Sequence, residues 1–213
     1  MDFDEFLVSL SKIKNIPLPA ETSQFKMSPP FRRELIKEYK ERMKNAKRAG
    51  VLAMFYPNER NKTYLALILR KTYKGVHSAQ IGFPGGKFEK EDKTLKHTAI
   101  RETFEEIGVP EHKIKVIKQM TEVYIPPSNF YVQPFIGITP KPPKFIKQDE
   151  EVEDIVEVSL SHFLDENNVG NKMVATSYTA NIEVPAYELN GHIVWGATAM
   201  MLSEIKDVLK TVM

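Results

Sequence analysis

The chain has 213 residues, with 30 Lys and Arg against 28 Asp and Glu, and no cysteine. That length suits one domain, or one domain with an appendage, and 42% hydrophobic with 27% charged residues is ordinary globular composition. A net charge of +2 gives no reason to expect DNA or RNA as partner, and the lack of cysteine excludes disulfides, thiolate metal sites and cysteine nucleophiles. No apolar run is long enough to span a bilayer, and the acidic start MDFDEFLVSL lacks the shape of a signal peptide. A cytoplasmic protein without a membrane partner is expected.

Residues 1–16 read as an amphipathic helix, with Phe3, Phe6, Leu7, Leu10 and Ile13 at helical spacing and Pro17 and Pro19 ending it. Pro29-Pro30 interrupt the chain again, and a Lys/Arg-rich helix is expected over about 31–47. These helices form an extension over 1–45 ahead of a main domain at 46–213. They are expected to pack on that domain or to supply part of a homodimer contact, with a partner-binding appendage as the alternative.

Gly50–Tyr56 reads as an apolar strand, Asn58–Asn61 as a turn and Thr63–Arg70 as a second strand, together a hairpin. A lysine-rich loop over 70–77 and a short extended piece over 79–83 lead to the turn Pro84-Gly85-Gly86. A helix carrying Glu102, Glu105 and Glu106 follows, with Gly108 as its stop. Strands are expected over 114–123 and 129–138, separated by Pro126-Pro127-Ser128. Residues 140–147 read as a mobile Pro/Lys connection. Then come a strand over 151–158, a short helix over 161–166 and a strand over 175–183. An Asn190-Gly191 turn, an extended piece over 192–195 and a closing helix over 196–212 complete the chain. Frequent strands with few helices indicate a mixed α/β sandwich, without repeated βαβ units.

Chemistry concentrates between Phe83 and Val109, FPGGKFEKEDKTLKHTAIRETFEEIGV. At about 100° per residue, Glu102, Glu105 and Glu106 share an arc of roughly 100°, while Ala99, Ile100, Thr103, Phe104 and Ile107 occupy another. An isolated ExxEE triplet is commonly a solvated helix face. A double-glycine turn and a charged loop in front of it call for more. Carboxylates are hard oxygen ligands that suit Mg2+ or Mn2+, and several on one rigid helix can set a hydrated ion against a diphosphate.

This segment resembles the Nudix box of hydrolases that cleave a nucleoside diphosphate linked to another moiety. Gly86 matches the box glycine, and Arg101-Glu102, Glu105-Glu106 and Gly108-Val109 match its second half. Thr103 stands where an aliphatic residue is usual, Asp92 replaces the first glutamate, and the loop from Gly86 to Arg101 is one residue longer. The longer loop, and Leu69-Arg70 followed by His77-Ser78-Ala79-Gln80-Ile81-Gly82-Phe83-Pro84-Gly85-Gly86, resemble the coenzyme A pyrophosphatase branch.

The resemblance implies an α/β/α sandwich with a mixed β-sheet and a small-molecule substrate. It implies Mg2+ or Mn2+ held by Glu102, Glu106 and Glu105 with a backbone carbonyl near Gly86. Arg101 would fix the catalytic loop through an ion pair, and Glu151 would complete the catalytic group from a neighbouring loop, the base being one of the box glutamates or Glu151. Gly85 and Gly86 would let the backbone approach the ligand, and Arg70, Lys74 and His77 would meet anionic oxygens of coenzyme A. The products would be 3′,5′-ADP and 4′-phosphopantetheine. Two other readings remain: a diphosphatase for ADP-ribose or NADH, and a non-catalytic module that binds nucleotide or protein. The intact glutamates argue against the last.

Overall fold

Side-chain alternation along one long central strand sorts the molecule into layers. In a computed structural model, which describes residues 1–71, 80–175 and 181–213, four short helices open the chain. They are α1 (Phe3–Lys12), α2 (Glu21–Gln24), α3 (Arg32–Glu38) and α4 (Lys40–Met43). Strands β1 (Lys47–Pro57), β2 (Thr63–Arg70), β3 (Ile81–Gly82) and β4 (Gly85–Lys87) lead to α5 (Leu95–Ile107). Then follow β5 (Lys115–Gln119), β6 (Val123–Ile125), β7 (Phe130–Ile138), β8 (Val152–Ser159) and α6 (Leu160–Leu164). The small sheet of β9 (Val169–Val174), β10 (Ile182–Leu189) and β11 (His192–Trp195) precedes α7 (Gly196–Lys210).

Every second residue of β1 faces the same way. Ala49, Val51, Ala53 and Phe55 join α1 and α7 in one apolar core, while Leu52, Met54 and Tyr56 join Ala99 and Ile107 of α5 in another. The result is the expected α/β sandwich. Its main sheet is mixed, because β1 runs parallel to β7 and antiparallel to β2 and β4.

The far edge of β1 is shared, and this builds the site. Met54–Pro57 pair with β2, whereas Ala49–Val51 pair with β4. β2 in turn pairs with β1 only as far as Ala66 and gives Ile68 and Leu69 to β3. The two strands therefore splay, and the β3–β4 corner fills the gap. Leu52 N–H donates to the Pro84 carbonyl at 2.9 Å and pins it there. Gly50 lies on the α5 side of β1, where an added Cβ would stand 2.2 Å from the Leu95 carbonyl oxygen. Its missing side chain lets the start of α5 rest directly on the strand.

α1 is part of the first core. Phe3, Phe6, Leu10 and Ile13 are buried, and the Phe6 ring lies 5.0 Å from that of Phe55. The apolar stripe that raised the expectation of a homodimer contact is thus covered within the chain. Among the described residues, no helix is long and apolar enough to cross a membrane.

Four segments differ from the sequence expectation. The helix expected over 31–47 divides at Tyr39 into α3 and α4 and yields to β1 at Lys47. The strand over 114–123 breaks at Met120–Glu122, because Thr121 N–H turns to the buried Glu204 of α7 at 3.1 Å. Of the strand expected over 175–183, residues 176–180 lie outside the described residues, and the flanking strands β9 and β10 extend beyond the expected bounds; Pro185, paired opposite Asn171, disguises β10 as a loop. The connection over 140–147 is tied down at its end, where Ile146 and Gln148 N–H donate to the carbonyls of Ile107 and Glu106 at 3.0 Å. Phe145 there packs edge-on against Tyr56.

Candidate active site

α5 is a well-delimited helix. The Thr94 hydroxyl accepts from His97 N–H at its start, and Gly108, with φ 73°, closes it by donating to the Phe104 carbonyl. Thr98, Ala99, Thr103 and Ile107 are buried against the sheet. Glu102 and Glu106, one turn apart, face the β3–β4 corner, and Glu106 is only 2% exposed.

Glu106, Gly85 and Arg70 form a closed triangle. Gly85 N–H donates to Glu106 Oε2 at 2.7 Å, and Arg70 Nη2 donates to the Gly85 carbonyl at 2.9 Å. Arg70 Nη1 lies 3.4 Å from Glu106 Oε1. Gly85 has φ 147°, and a Cβ there would sit 2.5 Å from both the Gly50 oxygen and the Val51 Cα. Only glycine fits this peptide between the strand and the carboxylate.

Burial pushes the Glu106 pKa up to about 7; Arg70 and the Gly85 N–H oppose that shift, while Glu102 and Glu151 add to it by repulsion. Glu102 is also raised, first by burial, with Arg101 opposing and Glu105 and Glu151 adding to the rise. A Cβ on Gly86 would lie 2.4 Å from the Glu102 carboxyl carbon. The residue therefore leaves a concavity that this carboxylate occupies. Gly86→Ala should drive Glu102 from its place and lower kcat by about 10²-fold, with melting temperature nearly unchanged. Retention of full activity in steady-state assays would refute this use of Gly86.

Arg101 anchors the loop before the helix. Its Nε and Nη2 donate to the two Asp92 oxygens at 3.0 Å each, its Nη1 to Glu105 at 2.8 Å, and its Nη2 lies 3.0 Å from Glu102. Asp92 is buried and also accepts from Thr98 Oγ1 and Glu89 N–H. It thus faces Arg101 and lies neither in solvent nor among the α5 carboxylates. Glu105 is exposed and held outward by Arg101. Glu151 is exposed too, yet near enough to repel both Glu102 and Glu106, and its carbonyl accepts from Lys71 N–H at 2.9 Å. Lys74 and His77 lie outside the described residues.

Among the described residues, no three His, Cys, Asp or Glu side chains gather as a ready-made metal cage. The donor set still suits a hard divalent cation. Two desolvated carboxylates share a face, Glu102 adds to the rise in the Glu106 pKa, and both stand beside a glycine corner whose backbone is free of side chains.

A cavity of about 510 Å³ opens beside the corner. Arg70, Gly85 and Gly86 line one part, Phe83, Ile125, Phe130 and Trp195 supply apolar wall, and Arg32 of α3 joins them from the N-terminal segment. Sequence reasoning passed over Asp92 as the partner of Arg101, and Arg32 altogether. The nine-residue interval from Asp92 to Arg101 was a usable signal; nothing local to Arg32 points across the fold.

A family model described as NUDIX domain matches residues 46–176. The mitochondrial coenzyme A diphosphatase NUDT8 of Homo sapiens is 31% identical over 128 residues, 60% of this chain and 54% of that protein. The chain thus spans about half the length of that relative. The uncharacterized Nudix hydrolase NudL of Photorhabdus laumondii is 29% identical over 152 residues, 68% of this chain and 76% of that one. In fold, the chain is similar to the crystal structure of a Nudix hydrolase from M. smegmatis, RenU. The TM-score is 0.54 at 16% identity, covering 79% of this chain and 88% of that one.

Proposed function

The chain belongs to the Nudix family, and from that premise we propose that the nucleoside diphosphate derivative it hydrolyses is coenzyme A or one of its derivatives. The observation that carries this reading is the position of the glycine corner. Gly85 and Gly86 stand at once against Glu106 and Glu102 and on the wall of the cavity, so a diphosphate at the corner has room for a large substituent. The likeness to a coenzyme A diphosphatase and the upstream element from Leu69 to Gly86 favour coenzyme A as that substrate.

Glu102 and Glu106, with a backbone carbonyl near Gly86, would hold Mg2+ or Mn2+, which the family generally requires. Such a cation supplies charge neutralisation at the diphosphate and acidifies water bound to it. The chain's own groups do the rest. Arg70 fixes the corner through the Gly85 carbonyl and adds positive charge to the cavity wall. Arg101, clamped by Asp92, holds Glu102 towards Gly86 and Glu105 away from it. Glu151, with no ion pair among the described residues and beside Glu102 and Glu106, is free to accept the proton of the attacking water. The water oxygen bonds to phosphorus, the P–O–P bridge breaks, and two phosphomonoesters leave.

Incubation with coenzyme A and Mg2+ or Mn2+, followed by chromatographic separation, should give 3′,5′-ADP and 4′-phosphopantetheine. Cleavage of ADP-ribose or NADH with coenzyme A untouched would overturn the substrate assignment and leave the chemistry standing.

A further inference from the structure

One buried cation on the cavity wall has no ion-pair partner among the described residues, and it comes from outside the segment that builds the glycine corner. Arg32 opens α3 and is 9% exposed. Its Nη2 donates to the Tyr124 carbonyl at 2.6 Å. Its Nε is buried with no hydrogen-bond partner among the described residues. Glu21 favours its charge only from beyond ion-pair distance, and burial pushes its pKa below the usual arginine value. A guanidinium nevertheless stays protonated at any working pH.

The contrast with the other site arginines is chemical. Arg101 is met by Asp92, Glu102 and Glu105, and Arg70 by Glu106. A desolvated cation with a single neutral acceptor is unfavourable unless an anion completes it. Arg32 shares its cavity with Gly85, Gly86 and Arg70, and the wall also includes Phe83, Ile125 and Phe130. An anion reaching Arg32 would therefore belong to the same bound molecule as the diphosphate, joined to it by a less polar spacer.

We propose that Arg32 receives a second phosphate group of the substrate, a phosphomonoester separate from the diphosphate that is cleaved. This rests on the reading that the diphosphate lies at Gly85 and Gly86. A phosphate dianion matches the guanidinium in charge and in hydrogen-bonding geometry better than a neutral group does. Arg32 is thus a specificity residue. It favours nucleotides esterified with phosphate on the ribose over those whose ribose hydroxyls are free.

The test is calorimetric binding of 3′,5′-ADP, 2′,5′-ADP and 5′-AMP to the full chain and to its Arg32→Gln and Arg32→Lys variants. The wild type should bind one bisphosphate about tenfold more tightly than AMP. Arg32→Gln should erase that preference without weakening AMP, and Arg32→Lys should restore part of it. A preference for 3′,5′-ADP assigns the ester to the 3′ position; a preference for 2′,5′-ADP assigns it to the 2′ position. No preference in the wild type, or a preference that survives Arg32→Gln, overturns the proposal. If loss of the Tyr124 contact unfolds the glutamine variant, Arg32→Met keeps the aliphatic stem and carries the same comparison. Arg32-dependent binding without coenzyme A cleavage would sink the substrate assignment alone. Coenzyme A cleavage without Arg32-dependent binding would sink this proposal alone.

Discussion

Glu106→Gln is expected to lower kcat by about 10²- to 10³-fold while stabilising the metal-free protein. The two effects share one cause. Glu106 is buried, and its pKa is raised from 4.5 to about 7 chiefly by desolvation. A carboxyl whose pKa rises on folding binds more proton in the folded state between those values. Its contribution to stability therefore falls as pH climbs from about 4.5 to about 7 and remains adverse above that. The full penalty is roughly 3 kcal/mol at pH 8. Glutamine removes the charge and keeps an oxygen for the Gly85 N–H. Its amide nitrogen can meet Arg70 Nη1, now 3.4 Å from the carboxylate, unfavourably, so the gain falls below that full figure. Thermal unfolding in EDTA at pH 8 and pH 5, beside kcat at saturating Mn2+, reads both effects. A variant that is less stable at pH 8, or as active as wild type, would contradict this account.

Asp92→Asn should destabilise the chain by about 3 kcal/mol or more. The substitution leaves Arg101 partly buried with half of its fork unpaired, and puts an amide donor where Arg101 and Thr98 both donate. The Arg101 guanidinium, first among several causes, holds the Asp92 pKa well below the ordinary 3.8. A depressed carboxylate contributes stability that is fully present above its ordinary pKa and lost as pH falls through its folded value. Wild-type stability should therefore drop below about pH 4, where the variant's curve is flatter. Urea denaturation at pH 7 and pH 3 measures both quantities. A loss under 1 kcal/mol at pH 7 would show that Arg101 does not depend on Asp92.

What could be read from the sequence was what is local. Residues 83–109 carry their corner, loop and helix within one stretch, so the turn at Pro84, the helix and the shared arc of its glutamates could be read from spacing. The strands of the main sheet were legible for the same reason, since β1, β2, β7 and β8 are runs bounded by clear breakers, whereas its mixed character came with the family resemblance. The failures are tertiary. Strand 114–123 breaks because Glu204, 83 residues away, captures Thr121. Pro185 hides β10 although its neighbours Val184 and Ala186 are buried. The many Lys and Arg of 31–47 conceal Arg32, whose buried guanidinium donates to the Tyr124 carbonyl from another part of the chain. Glu105 shares the helical arc of its neighbours, yet Arg101 draws it to the surface. A helical wheel shows which carboxylates are close in angle but not which of them the packing will desolvate.

The central claim is that Glu102 and Glu106, beside Gly86, hold the divalent cation against the diphosphate. Titration of Mn2+ into the protein, with free Mn2+ followed by electron paramagnetic resonance, tests this most directly. Wild type should bind Mn2+ in the concentration range that supports hydrolysis. Glu102→Gln and Glu106→Gln should each weaken that binding about tenfold or more, whereas Glu105→Gln should change it little. Equal Mn2+ affinity in wild type and in both the Glu102→Gln and Glu106→Gln variants would contradict the claim.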